Sequence, residues 1–222
     1  MSPTLATAGP VPPGRPLIKV CGLTRPQDST LAAILGADMC GFIFHPPSPR
    51  SVTASRARLM PTPGVRRVGV FVDQGLQEIL EFMEEACLDV AQLHGAQGPE
   101  VAGRLPPGRV IRVFWPESQD SGELARQMDE WRALAHLYLF DAGSGGGGHG
   151  RRLAADVPES PVPYLLAGGL SPAQVRRRWP ADDPMLAGFD LNSGLELSPG
   201  QKDGEALKSL LPWPRRTPAG PA

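Results

Sequence analysis

The 222-residue chain is predicted to be of the α/β class, a small single-domain (β/α)8 barrel of the TIM type. Three observations predict it. Short runs rich in Val, Ile, Leu or Phe recur along the chain, each followed by an amphipathic stretch, which is the pattern of βαβ units on a parallel sheet. The runs are almost continuously apolar, as strands covered on both faces must be. There are eight of them, and the turn after the first, CGLTRP, lacks the G-x-G-x-x-G spacing of an open dinucleotide-binding sheet.

The elements follow in order. LIKV at 17–20 precedes PQDSTLAAILGA, and MCGFIF at 39–44 precedes TASRARLM. RVGVFV at 67–72 precedes LQEILEFMEEAC, and LDVAQL at 88–93 precedes GPEVAGRL. RVIRVFW at 109–115 precedes SGELARQMDEWRALA. LYLF at 137–140 precedes a glycine tract and a weak segment, RRLAAD, so the helix after strand six is expected to be short or absent. VPYLLA at 162–167 precedes SPAQVRRRW, and MLAGFDL at 185–191 precedes GEALKSLL. The barrel is expected over 17–211. The Pro-rich segment 1–16 and the segment 212–222 are expected to be disordered tails.

Composition removes several function classes. The formal net charge is -1, from 22 basic and 23 acidic residues, so neither nucleic acid nor a membrane surface is an expected partner. The N-terminus has no basic segment followed by an apolar one and does not read as a signal peptide. Cys21, Cys40 and Cys87 make an odd count without a C-x-x-C pair, which argues for a reducing, cytoplasmic setting and against a cysteine-built zinc site. His45, His94, His136 and His149 show no metal-ligand spacing.

In a barrel the loops after the strands build the catalytic face. Cys21 follows strand one, and Lys19, two residues earlier, points the same way. A buried cysteine is most often a small hydrophobe. Lys19 changes that weighing, because a cation beside a thiol favours the thiolate and a buried ammonium needs a carboxylate. Asp141 and Asp190, both at strand ends, are the candidates. Cys40 and Cys87 are read as packing residues, the second on the apolar face of a helix. Three prolines in HPPSPRSV stiffen the loop that carries Arg50, whose guanidinium suits a carboxylate or a phosphate. His94 stands after strand four, as a hydrogen-bond donor or an acid–base group. Gly168 and Gly169 after strand seven, and Ser193 and Gly194 after strand eight, occupy the two loops that bind phosphate in many barrels. DAGSGGGGHG after strand six is neither a linker, since it lies inside the repeat, nor a P-loop, since no Lys-Ser/Thr follows.

Together these stretches resemble the phosphoribosylanthranilate isomerases of tryptophan synthesis. The likeness covers nearly all of 17–211 and rests on KVCGLT, GFIFHPPSPRSV, GVFVD, QLHG, FDAGSGGGGHG, LAGGLSP and GFDLNSGLELSPGQKD. It implies an Amadori rearrangement of N-(5-phosphoribosyl)anthranilate, with Cys21 as general base and Asp141 as general acid. Arg50 would hold the anthranilate carboxylate and His94 would lie near the ribose hydroxyls. Gly168, Gly169, Ser193 and Gly194 would bind the phosphate, and Asp190 would line the site. One acid and one base suffice for this reaction, so no metal or organic cofactor is implied. Asp141 has to start protonated, which assigns Lys19 to Asp190. The chain departs from the family where RRL replaces Phe-Asp-Trp after the glycines, at Gly147, at Asn192 and at Asp73. The implied partner is a small phosphorylated molecule, and monomer and homodimer both stay open. The alternatives are a related phosphosugar isomerase of the same barrel class and a phosphate-binding barrel with impaired catalysis.

Overall fold

The computed structural model describes residues 14–142, 157–179 and 181–213. The eight apolar runs form strands β1 (Leu17–Val20), β2 (Met39–Ile43), β3 (Arg66–Phe71), β4 (Val90–Leu93), β5 (Val110–Phe114), β6 (Leu137–Phe140), β7 (Tyr164–Leu166) and β8 (Leu186–Leu191). They close one barrel in chain order, and every neighbouring pair is parallel. The seam is the β8–β1 pair, whose register sets Asp190 opposite Lys19.

Helices α1 (Pro26–Leu35), α2 (Ala54–Arg58), α3 (Leu76–Glu85), α4 (Pro99–Ala102), α5 (Ser121–Trp131), α6 (Pro172–Arg178) and α7 (Gly204–Leu210) alternate with the strands. Local chemistry fixes their starts. Pro26, Pro99 and Pro172 stand in first turns, where the missing N–H costs nothing. Asp120 caps α5 through the amides of Gly122 and Glu123, and Ser171 with Gln174 forms a capping box on α6. α4 is a single turn, shorter than GPEVAGRL suggests. The segment RRLAAD, and with it the expectation of a weak sixth helix, lies outside the described residues.

Alternation along the strands makes two apolar layers. Met39, Val68, Val90, Ile111, Val113 and Leu139 fill the barrel interior. Ile18, Val20, Phe42, Phe71, Phe140 and Phe189 point outward and are covered by the helices. Each fully buried side chain of this kind contributes about 1.5–3 kcal/mol. No helix among the described residues is long and apolar enough to cross a membrane.

Contacts of the described residues run to Arg15 and Trp213. Arg15 donates to Asp38 at 3.0 Å, and Arg176 lies over the Trp213 ring at 5.1 Å. Cys87 corrects the sequence reading. α3 stops at Glu85, and Cys87, exposed and with φ 52°, holds the left-handed position that turns the chain toward β4. That position usually takes glycine. Cys40 is fully buried in β2, as expected. A hairpin, β9 (Glu196–Ser198) and β10 (Gln201–Lys202), follows β8 outside the barrel. It escaped the sequence reading because strands of three and two residues carry no apolar alternation.

Candidate active site

The C-terminal ends of the strands carry the polar residues. Lys19 Nζ donates to Asp190 Oδ2 at 2.9 Å, and both side chains are buried. Cys21 stands on the same inward face. The backbone of β2 passes close by, because a Cβ on Gly41 would lie 2.8 Å from Cys21 Sγ and 3.1 Å from Lys19 Nζ. Only a glycine leaves room there for thiol and ammonium together. Lys19 therefore pairs with Asp190, as the sequence reading assigned it.

The electrostatics differ from the simple expectation of a thiolate beside a cation. Burial pushes the Cys21 thiol up, Lys19 pulls it down, and Asp190 pushes it up again, so that its pKa lies above the ordinary thiol value. Burial also opposes the charge on Lys19, but Asp190 and then Cys21 outweigh it and hold the ammonium protonated. Lys19 thus orients Cys21 without ionising it at rest, because burial outweighs the pull of the ammonium and Asp190 works against it as well.

Arg50 is buried and bound to a residue that the sequence reading did not single out. Its Nε lies 3.0 Å from both oxygens of Glu196, and its Nη2 lies 2.7 Å from Oε2. Lys202 Nζ donates to Glu196 Oε1 at 2.8 Å and to Asn192 Oδ1 at 2.9 Å. At Glu196 the two cations outweigh burial and hold the carboxyl below its usual range, whereas at Lys202 burial wins over Glu196 and lowers the ammonium. The two directions agree with one carboxylate serving two cations. Among the described residues Nη1 of Arg50 makes no hydrogen bond, so the end of the guanidinium stays available.

Asp141 follows β6, its amide bonded to Phe114 O at 3.0 Å. Alternation from Leu137 and Leu139, both inside, puts it on the inward face. His94 follows β4 and packs edge-on against Trp115, with ring centroids 5.4 Å apart. Burial, with Lys19, Arg112 and His45 adding to it, lowers its pKa to about 4. The ring is then neutral near pH 7. Gln92 Nε2 lies 3.4 Å from His94 Nδ1, an arrangement that leaves the ring proton on Nε2. Gln92 Oε1, His94 Nε2, Trp115 Nε1 and Asp190 Oδ1 are buried polar atoms without a hydrogen-bond partner among the described residues. Such atoms normally have partners, and these four suit the hydroxyls of a sugar. Gln92 and Trp115 were legible only as the inward positions of β4 and β5.

The loops after β7 and β8 meet. Gly168 and Gly169 hold φ 102° and 61°, a left-handed pair that turns the chain into the capped start of α6. A Cβ on Gly194 would lie 2.0 Å from Leu170 O and 3.2 Å from Ser171 N, so the turn that carries Ser193 and Gly194 rests directly on that corner. Backbone amides and small residues from two loops in contact are the kind of groups from which an anion cradle is built. Among the described residues no three His, Cys, Asp or Glu side chains are grouped to hold a metal ion.

The sequence model of a family described as N-(5'phosphoribosyl)anthranilate (PRA) isomerase matches residues 18–212. A protein of Maridesulfovibrio salexigens named N-(5'-phosphoribosyl)anthranilate isomerase is 45% identical over 199 residues, which is 88% of this chain and 96% of that protein. The crystal structure of phosphoribosyl anthranilate isomerase from Thermus thermophilus superposes with a TM-score of 0.69 at 36% identity, covering 87% of this chain and 96% of that one. A second structure, an isomerase in complex with reduced 1-(o-carboxyphenylamino)-1-deoxyribulose 5-phosphate, superposes with a TM-score of 0.69 at 28% identity over 88% and 96% of the two chains.

Proposed function

The chain belongs to the phosphoribosylanthranilate isomerase family, and on that premise we propose that Cys21 and Asp141 carry out its isomerisation of N-(5'-phosphoribosyl)anthranilate. Asp141 gives its proton to the furanose oxygen, the C1–O bond breaks, and C1 becomes a protonated Schiff base. Cys21 takes the proton from C2. The electrons of that C–H bond form the C1–C2 double bond of an enolamine as the C1–N π pair moves onto nitrogen. The C2 hydroxyl then loses its proton as C1 gains one, so C2 becomes the ketone, and Cys21 gives up the proton it took while Asp141 regains the one it gave. The charge of the Schiff base lowers the cost of a thiolate nearby, which suits a thiol that is neutral before the substrate is in place.

The observation that carries this reading is Cys21 set beside the Lys19–Asp190 pair at the catalytic end of the barrel. The contact between the loops after β7 and β8 supports the phosphate site at Gly168, Gly169, Ser193 and Gly194. The open end of Arg50 suits the anthranilate carboxylate, and His94 suits a ribose hydroxyl. Asp190 acts by pairing Lys19 and lining the site. The cysteines, none of them in a disulfide, fit a reducing compartment, and we place the reaction in the cytoplasm. The test is turnover of freshly prepared phosphoribosylanthranilate by the purified chain, beside Cys21→Ala and Asp141→Asn. Retained phosphate binding without turnover by the unaltered chain would leave a phosphate-binding barrel in its place.

A further inference from the structure

Arg50 is fixed from behind by a buried charge relay. A guanidinium has two edges that accept a carboxylate in bidentate fashion. Glu196 occupies the Nε–Nη2 side edge, with both its oxygens engaged. Lys202 Nζ and the amide of Gly200 converge on Glu196 Oε1 at 2.8 and 3.1 Å, so the carboxylate cannot turn away. The Glu196 side chain is 3% exposed and that of Lys202 is 0% exposed.

The hairpin exists in the right register for this. Lys202 lies opposite Glu196 across the β9–β10 pair. Thr24 Oγ1 donates to Gly200 O at 2.6 Å, and the Lys202 amide donates to Asp28 Oδ2 at 3.1 Å, which anchors the turn and the second limb to the start of α1. Two cations and one carboxylate leave a net positive charge, and the end of Arg50 is where it can meet an anion.

We propose that Glu196 and Lys202 are positioning residues for the substrate carboxylate. Glu196 presents the Nη1 end of Arg50 to it, and Lys202 holds Glu196 in place. The long arginine side chain is thereby ordered on folding rather than on binding, which removes that entropy from the binding step. Without Glu196, Arg50 and Lys202 repel and the guanidinium swings out of register. The inference rests on the reading of Arg50 as the residue that holds the carboxylate.

The test is steady-state kinetics of Glu196→Gln, Arg50→Met and the double variant, with inorganic phosphate as a competitive inhibitor. Glu196→Gln is expected to raise KM about tenfold with kcat held within about threefold, a loss of uniform binding. Inhibition by phosphate is expected to stay within about twofold of the unaltered enzyme, since separate sites behave additively. In the Arg50→Met background, Glu196→Gln is expected to change KM by less than about twofold, because two residues that act through one contact are not additive. Should Glu196→Gln fail to fold around the stranded ammonium, Glu196→Gln with Lys202→Met removes both charges and is expected to show the same rise in KM. A normal KM in Arg50→Met overturns the carboxylate reading itself. A raised KM in Arg50→Met with a normal KM in Glu196→Gln overturns the positioning role alone. An equal effect of Glu196→Gln in both backgrounds, or a parallel loss of phosphate inhibition, also overturns it.

Discussion

Lys19 and Asp190 meet across the seam where β8 closes on β1, with 2.9 Å between Nζ and Oδ2, at paired positions of the two strands. Each of these buried charges is the other's counterion. Lys19→Met strands the carboxylate in the barrel mouth, and breaking a buried pair in this way costs about 3–5 kcal/mol. Urea unfolding of Lys19→Met is expected to show that loss. The double variant Lys19→Met, Asp190→Leu is expected to recover most of it, because no charge is left unpaired. Equal stability of the single variant and the unaltered chain would mean that the pair is not the only support of Asp190.

Removing a general base or acid costs about 10²–10⁴ in rate. Cys21→Ala and Asp141→Asn are each expected to lower kcat by that factor while KM moves little. Stopped assays with excess enzyme separate such a residual rate from none. The burial that raises the Cys21 thiol also predicts a pH dependence. In the unaltered enzyme the loss of the Asp141 proton offsets the gain of thiolate, so the limb is sought in the residual activity of Asp141→Asn, where the acid no longer titrates. There kcat/KM should climb as pH rises above neutrality toward the thiol pKa, and this limb should vanish when Cys21→Asp is added, whose base ionises in the acid range. A flat profile in Asp141→Asn would contradict a thiol base.

Much of this site could be read from the sequence, and the reasons are physical. Strands buried on both faces are continuous apolar runs, so all eight were visible, and alternation set Lys19 beside Cys21 before any coordinates. The choice of Asp190 over Asp141 as the partner of Lys19 followed from the acid role that the family resemblance implied for Asp141. Glu196 and Lys202 were invisible as a pair because they meet through a hairpin of three and two residues, too short to leave a periodicity. Gln92 and Trp115 were hidden for the opposite reason. They continue the inward face of strands that already read as core. Cys87 was misplaced because the sequence shows where α3 is amphipathic but not the residue at which it stops, and the left-handed turn falls on a cysteine instead of a glycine.

Two histidines give the fold an acid limit. His94 and His136 both have pKa values lowered to about 4, chiefly by burial. Their unfolded values are near 6.5. Above pH 6.5 both are neutral in either state and contribute no pH dependence. As pH falls below 6.5 the unfolded chain takes up protons that the folded chain refuses, so stability declines until about pH 4. Each such group contributes a slope of up to about 1.4 kcal/mol per pH unit in that window. Denaturant unfolding at pH 7, 5.5 and 4.5 is expected to show the decline, and His136→Asn to halve it. A decline of the same size in His136→Asn would assign the effect to other groups.

The phosphate site proposed between the loops after β7 and β8 depends on Gly194 having no side chain. A methyl at that position would stand 2.0 Å from Leu170 O, a backbone atom with no freedom to withdraw unless the whole β7 corner moves. Gly194→Ala must therefore part the two loops that bring Gly168, Gly169 and Ser193 together. Such overpacking costs about 1–3 kcal/mol of stability. On the proposed phosphate site, parting the loops should cost binding as well as stability, because displaced binding groups lose their geometry. Gly103→Ala is the matched control. Its φ is -64°, and its new Cβ would meet Pro99 O only at 3.4 Å. Inhibition by inorganic phosphate is expected to weaken at least about tenfold in Gly194→Ala and to stay unchanged in Gly103→Ala, a contrast that follows from additivity at distant sites. If Gly194→Ala binds phosphate normally while folded, the anion is held elsewhere and the cradle between the loops after β7 and β8 is only a packing contact.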